Sequence, residues 1–428
     1  MLRVFIVLFI FIGIELFGLV DFYTDRSIFG INTFDFFIFL TNCIFFVMFF
    51  SLNSFKYLIL SKPLKYIFYL YVFVILVFIS MPIRGDINLI DVTKVGRDFL
   101  ILPIAFIITY DVLKNKAGKF YHRLIILIGL FTSLQIILNA FNPDLVGSIF
   151  EYTRAREGFK YGDLQRNNFL SKSMLFPHLC SLLIFWRIIN KPFKISTIIL
   201  FVILFLGASL QGFRSYFIVL CLIHIIQLIY FYNHNRVLKI AFIAFLGFPI
   251  VGLVDATALN NQISNKFITV LFDVEKDEGS SLKGRWDRDN LVIIPRFLQK
   301  PLFGWGFIHY SSPWGQELGL ESNEESKGKA DGLYTIDSGW LTMLMYFGIV
   351  GLIIYLFIMT KYLFFIFKNN LITSELGFAV IGFPFILFFP LITHGGFYSD
   401  FGLLPMSLVF GLLAYFPIKY SKNENYYE

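Results

Sequence analysis

The sequence predicts an all-α polytopic integral membrane protein with about twelve transmembrane helices and one large extracytoplasmic loop. Three observations lead there. The 428 residues are 57% hydrophobic and only 15% charged, with 56 Phe, a composition unlike that of a water-soluble globule. Apolar runs recur at about the twenty residues a helix needs to cross a bilayer, where the backbone must satisfy its own hydrogen bonds. Between 255 and 337 the pattern stops, and a mostly polar stretch containing Gly284-Arg285-Trp286-Asp287-Arg288-Asp289 takes its place. The net charge of +7 does not point to nucleic acid, because many of the basic residues stand in short links between spans.

Taken in order, the predicted spans are 2–20, 34–52, 66–82, 98–113, 124–141, 168–189, 195–211, 215–232, 240–257, 338–360, 376–393 and 401–418. The first has no small-residue cleavage pattern near Gly18 to Asp21, so it is read as a retained span and not as a removed signal peptide. Orientation follows from the preference of Lys and Arg for cytoplasmic links. Lys56, Lys62 and Lys65 fall in one link, Lys114, Lys116, Lys119 and Arg123 in a second, Arg187, Lys191 and Lys194 in a third, and Arg236 and Lys239 in a fourth. All four share one side, which also receives Arg3, Lys361, Lys368, Lys419 and Lys422, so both termini are expected in the cytoplasm. The links at 83–97, 142–167, 255–337 and 394–400 then lie outside the cytoplasmic membrane. The chain divides into 1–254 (the first nine spans), 255–337 (the large loop) and 338–428 (the last three spans and a cytoplasmic tail). Cys43, Cys180 and Cys221 all sit in apolar runs, which indicates neither a disulfide framework nor a cysteine metal site.

Long polar loops on a helical scaffold are where binding and chemistry concentrate. Within this one, 262–274 is patterned as an amphipathic helix, a second helix is expected from Arg285 to about Leu298 with a kink at Pro295, and Pro301–Phe307 turns sharply. On a helix Arg285 and Arg288 share a face, so they are candidates to grip an anionic group from two sides; the alternative is a pair of solvated charges balanced by Asp287 and Asp289. Arg154 and Arg156, interleaved with Tyr152, Phe159 and Tyr161, are candidates to hold a phosphate while the rings stack a sugar, or form a cationic solvated loop. Arg214, in Gln211-Gly212-Phe213-Arg214-Ser215-Tyr216, stands in a very short link, where an arginine near membrane depth either pairs with something or snorkels to the headgroups. Arg97 is a lesser candidate on the same side, and Trp305 joins the substrate-binding set. Asp337, where the loop meets the tenth span, is either an N-cap or a general base facing outward, and His394 is a second group able to move a proton there. No metal set and no cofactor motif is recognised.

These residues resemble the O-antigen polymerase and O-antigen ligase superfamily of bacterial envelope glycosyltransferases. Ser209-Leu210-Gln211-Gly212-Phe213-Arg214-Ser215 looks like the family's segment in which an arginine precedes a span. Gly284-Arg285-Trp286 followed by Pro301-Leu302-Phe303-Gly304-Trp305-Gly306 looks like its loop pattern, and Asp337-Ser338-Gly339-Trp340-Leu341 with Tyr346-Phe347-Gly348-Ile349-Val350-Gly351-Leu352 looks like the segment that closes the loop. The resemblance implies a fold similar to the GT-C-like glycosyltransferases and a metal-independent reaction on the outer face of the cytoplasmic membrane. Two undecaprenyl-pyrophosphate-linked oligosaccharides would be joined there into O-antigen, capsule or a similar polysaccharide. Arg214 and Arg285 would stabilise the pyrophosphate, Arg154, Arg156 and Arg288 would place the lipid head or the other substrate, and Asp337 would be the base with His394 in reserve. A flippase and a chain-length regulator are the implied protein partners, beside membrane lipid. Many ligases of the superfamily carry His-Asn where this chain has Asp337-Ser338, so polymerisation fits better than transfer to lipid A core. A polysaccharide or lipid-linked oligosaccharide transporter is the rival of another class, but its charges belong along a midplane cavity, not in outer loops.

Overall fold

The computed structural model of the protein describes residues 1–19, 27–28, 31–60, 64–84, 89–141, 145–146, 149, 160–161, 164–165, 173–192, 194–210, 214–231, 293–307, 315, 339–368, 374–388 and 400–413. Fourteen α-helices are considered below: α1 (Leu2–Gly13), α2 (Thr33–Ser51), α3 (Asn53–Leu60), α4 (Leu64–Arg84), α5 (Leu89–Gly96), α6 (Pro103–Asn115), α7 (Gly118–Phe141), α8 (Phe176–Asn190), α9 (Ile195–Leu210), α10 (Arg214–Tyr230), α11 (Ile294–Phe297), α12 (Gly339–Lys368), α13 (Glu375–Phe388) and α14 (Asp400–Leu413). Short 3-10 turns cover Glu15–Gly18 and Arg97–Ile101. Extended structure among the described residues amounts to two antiparallel ribbons, β1 (Ser27–Ile28) with β2 (Ile31–Asn32) and β3 (Lys160–Tyr161) with β4 (Leu164–Gln165). Helices dominate, as expected of a membrane protein of the helical class.

Every predicted span overlaps one of these elements except 240–257, which lies outside the described residues. Among the described residues, four helices are long and apolar enough to cross a membrane: Thr33–Ser51, Leu64–Ile83, Gly118–Asn139 and Leu341–Lys368. Shorter apolar helices of 10–17 residues, Leu2–Gly13, Phe176–Asn190, Ile195–Leu210, Tyr216–Tyr230, Glu375–Pro384 and Gly402–Leu412, overlap six of the other predicted spans. The apolar faces of the long helices are open. Phe50 on α2 is 79% exposed and Phe364 on α12 is 62% exposed, which suits contact with hydrocarbon.

Three predicted boundaries shift, each for a backbone reason that hydropathy does not register. The run 2–20 is not one helix, because Glu15, Leu16 and Phe17 adopt positive φ of 54°, 45° and 63° after Gly13. The spans expected at 98 and 168 begin later, with Pro103 and Pro177 in the first turns of α6 and α8. Proline lacks the N–H that a first turn leaves unused anyway. Of the expected loop helix from Arg285 to about Leu298, residues 285–292 lie outside the described residues; Pro295 stands in the first turn of the described α11, after the helical Ile293.

The chain groups into two compact units, one formed by 1–13, 22–123 and 282–428, the other by 14–21 and 124–281. In the first, α6 and α14 form the densest packing. Thr109 Oγ1 donates to the Gly411 carbonyl at 2.9 Å across that pair. The buried Asp111 carboxylate accepts from Tyr121 OH at 2.6 Å, Asn115 Nδ2 at 2.5 Å and Arg3 Nε at 3.2 Å, which ties the chain start to α6 and α7. In the second unit a polar chain joins α8 to α10. His224 Nε2 meets Ser181 Oγ at 2.9 Å, His224 Nδ1 meets Gln227 Oε1 at 2.8 Å, and Gln227 Nε2 donates to the Leu182 carbonyl at 3.2 Å. Such a chain gives buried polar groups partners that lipid cannot supply.

Candidate functional site

The described part of the large loop is mainly a middle segment, Ile293–Phe307, and it is bonded into a break in α12. At Gly348 the helix adopts φ 65° and ψ −174°, so the backbone there cannot complete its own ladder. Pro301–Gly306 completes it from outside. The Met345 carbonyl accepts from Trp305 N at 2.6 Å and from Gly306 N at 3.3 Å. In return Ile349 N donates to the Pro301 carbonyl at 2.9 Å and Val350 N to the Leu302 carbonyl at 3.1 Å. Irregular backbone in a span is tolerated where protein supplies the missing bonds. After the break, 349–368 alone still reaches the roughly twenty residues of a crossing helix.

Glycine is required at this junction. A Cβ on Gly348 would collide with the Leu302 carbonyl oxygen, and one on Gly306, whose φ is 85°, would collide with Met81 Sδ. Next in sequence, Phe307 fills the centre of an aromatic cluster. Its ring centroid lies 4.8 Å from Phe78, 5.2 Å from Tyr346, 5.5 Å from Phe347 and 5.7 Å from Phe99. The loop's foot is thus held to α4, to the Arg97–Ile101 turn and to α12 at once.

Two predicted site residues lie at this foot. Trp305 is buried, its Nε1 donates to the Arg296 carbonyl at 2.9 Å, and Lys300 Nζ sits 3.8 Å from its ring centroid. Its faces are occupied by protein, so it supports the foot in this state and offers no open platform to a sugar. Arg97 opens the 3-10 turn beside Gly96, which packs on Phe78 and Phe307. Arg97 Nη1 donates to both Asp35 oxygens, at 3.1 and 3.0 Å. Asp35 is itself held by the α2 cap residue Asn32, which accepts from Asp35 N at 2.7 Å and donates to Asp35 Oδ2 at 2.6 Å. Arg97 therefore fastens the start of α2.

The remaining candidates fall wholly or partly outside the described residues. Arg214 is the first residue of α10, and its side chain lies outside the described set. Arg154, Arg156, Arg285, Arg288, Asp337 and His394 all lie outside the described residues too.

Some polar groups stand out that the sequence reading passed over. Arg296 follows Pro295 in α11, and its Nη1 is buried without a hydrogen-bond partner. Burial lowers the guanidinium's pKa from its ordinary value. Lys300 comes four residues later. The spacing was visible in the sequence, but only the structure shows that Trp305 Nε1 holds the Arg296 backbone carbonyl while Lys300 Nζ lies over the same ring. In the second unit, His178 is fully buried with neither ring nitrogen bonded. It was hidden inside an apolar run.

Residues 195–356 match a family model described as O-Antigen ligase. The matched segment begins at α9 and ends within α12, so it contains Arg214, Arg285, Arg288, Trp305 and Asp337 and both halves of the junction at Gly348. Arg97, Arg154, Arg156 and His394 fall outside it. No curated protein matches the chain.

Proposed function

We propose, from a match that supports the O-antigen polymerase and ligase superfamily, that this glycosyltransferase-like membrane protein polymerises undecaprenyl-pyrophosphate-linked oligosaccharide repeat units at the outer face of the cytoplasmic membrane. The observation that carries the reading is the junction itself. The two motif segments, Pro301–Gly306 and Tyr346–Leu352, are joined backbone to backbone, so the loop bearing Arg285 rises from a fixed foot.

In the proposed reaction a sugar hydroxyl of one lipid-linked unit attacks the anomeric carbon of the other. A glycosidic C–O bond forms, the bond from the anomeric carbon to the pyrophosphate oxygen breaks, and undecaprenyl pyrophosphate leaves with the electron pair. Asp337 takes the hydroxyl proton, with His394 as the alternative base. The leaving pyrophosphate gains charge as the bond breaks, so guanidinium donors at Arg214 and Arg285 lower the barrier more than they strengthen ground-state binding. Arg154, Arg156 and Arg288 hold the lipid head or orient the acceptor. We read Arg97, which pairs with Asp35, and the buried Trp305 as supports of that scaffold.

Ligation to lipid A core is the second reading, favoured by the description of the matched family. The test is to reconstitute the protein in vesicles with one undecaprenyl-pyrophosphate-linked repeat, without nucleotide sugar or added metal, and to resolve the products by gel. A ladder of lengths is expected, and Arg285→Ala should reduce its rate by about 100-fold or more. Absence of a ladder, followed by product only when lipid A core is added, would make the protein a ligase.

A further inference from the structure

We propose that the link between α6 and α7 is a docking site for the headgroup of an anionic phospholipid, held by Lys116, Lys119 and Arg123 around the partly exposed ring of Phe120. The site is separate from the proposed polymerisation and does not depend on it.

Lys116 closes α6 in a left-handed conformation with φ 51°, and Gly118 opens α7 two residues later. Lys116, Lys119 and Arg123 are all exposed. Lys119 and Arg123 stand four residues apart on α7, about one turn, where two like charges repel unless something negative lies between them. They also stand at the positive end of the α7 dipole, and no acidic residue occupies the first turn of that helix. The acids of the neighbourhood are committed elsewhere. Asp111 is buried and accepts from Arg3, Asn115 and Tyr121, while Glu375 meets His122 Nε2 at 2.9 Å. Among the described residues no ion pair engages Lys116, Lys119 or Arg123. Lys114, by contrast, turns to Tyr110 and donates from Nζ to its hydroxyl at 3.2 Å.

Phe120 is the apolar part of this surface. It is 41% exposed, lies between Lys119 and Arg123 in the helix, and has the Arg3 guanidinium 5.6 Å from its ring centroid. Arg3 stays 42% exposed although it reaches Asp111, so a fourth cation borders the ring.

Position decides between ligands. Most of α7 is long and apolar enough to cross the membrane, and the cluster sits on its first two turns. From Lys119 to Arg123 the helix rises about 6 Å, which matches the roughly 5–8 Å depth of a headgroup layer on one side of a bilayer. A soluble anion would need only the cations. An exposed aromatic ring at the same level suits a phosphate tethered to hydrocarbon. The charge pattern puts this end of α7 on the cytoplasmic side, where the leaflet surface is negative.

Binding is measured on the full-length protein in nonionic detergent micelles by native mass spectrometry. The probes are dioleoyl phosphatidylglycerol, dioleoyl phosphatidylcholine and soluble glycerol 1-phosphate. Wild-type protein should retain phosphatidylglycerol at least about tenfold over phosphatidylcholine and retain no glycerol 1-phosphate, with a preference that shrinks as salt is raised. Each cation near an anionic surface contributes roughly fivefold in affinity. Lys116→Asn, Lys119→Gln and Arg123→Gln combined should therefore weaken phosphatidylglycerol retention at least about tenfold. Asparagine suits the left-handed position 116 and all three side chains are exposed, so the unfolding temperature should stay that of the wild type. Lys116→Arg, Lys119→Arg and Arg123→Lys combined should bind as wild type does. So should Lys191→Gln with Lys194→Gln, in another basic link of the same expected side. If the neutral triple variant unfolds, Lys119→Gln and Arg123→Gln carry the test singly, each with a loss of about fivefold. Equal retention of the two phospholipids by wild-type protein would overturn the site, as would undiminished retention in the neutral variants. An equal loss in the Lys191 and Lys194 variant would mean a diffuse basic belt, and retained glycerol 1-phosphate a site for soluble anions; either rejects the proposal.

Discussion

Gly306 shows how a single hydrogen in place of a side chain can decide local architecture. Its φ of 85° is a region other residues adopt only with strain, and the space a Cβ would need is taken by Met81 Sδ. Gly306→Ala should therefore destabilise the protein by at least about 2 kcal/mol, combining backbone strain with overpacking. Met81→Ala in the same chain should restore only part of that, since it clears the clash and leaves the strain. Gly13→Ala is the comparison: its nearest neighbours are the tips of Leu404 and Phe34 side chains at 3.0 and 3.3 Å, so a much smaller loss is expected. Thermal unfolding in one detergent checks all three. A Gly306→Ala protein as stable as wild type would mean that the junction does not hold the loop's foot. The glycines of this turn could be read from sequence as turn formers, but their partner at Gly348, far along the chain, could not.

At the scale of elements, the Asn32, Asp35 and Arg97 contacts show how a residue's role depends on what faces it. From sequence Arg97 is a cation on the outer side and so a candidate to bind substrate. In the fold it spans from the 3-10 turn to the first turn of α2 and holds both oxygens of Asp35, with the side chains of Asp35 and Arg97 22% and 26% exposed. Arg97→Ala and Asp35→Ala should each lower stability, and the double variant should lose less than the sum, with a coupling of about 1–3 kcal/mol. A double-mutant cycle of unfolding free energies measures this. Additive losses would mean that the pair contributes nothing, and Arg97 would return to the set of substrate ligands. The helix positions themselves were readable because apolar runs of membrane length leave few alternatives. Their ends were not, where Pro103 and Pro177 moved a start and where left-handed residues after Gly13 broke a mostly apolar run.

At the scale of the whole molecule, the charge pattern predicts that 255–337 lies outside the membrane and 114–119 in the cytoplasm. With Cys43, Cys180 and Cys221 replaced by serine or alanine, a cysteine at Ser280 should react with a membrane-impermeant maleimide in intact cells, and one at Lys116 only after permeabilisation. The reverse pattern would invert the topology and remove the large loop from the compartment of the proposed reaction. Sequence by itself determined the membrane class, the order of the apolar segments and the loop in which cations gather, because solvent imposes those patterns on composition and periodicity residue by residue. Only tertiary structure decided that Pro301–Gly306 repairs a break in α12, that Trp305 is support, that Arg97 is engaged by Asp35, and that Arg296 is left with an unmet donor. The α12 junction and the Arg97–Asp35 pair are contacts between segments far apart in the chain, and a hydrogen bond or an ion pair is a property of two partners, which neither residue's own sequence neighbourhood specifies.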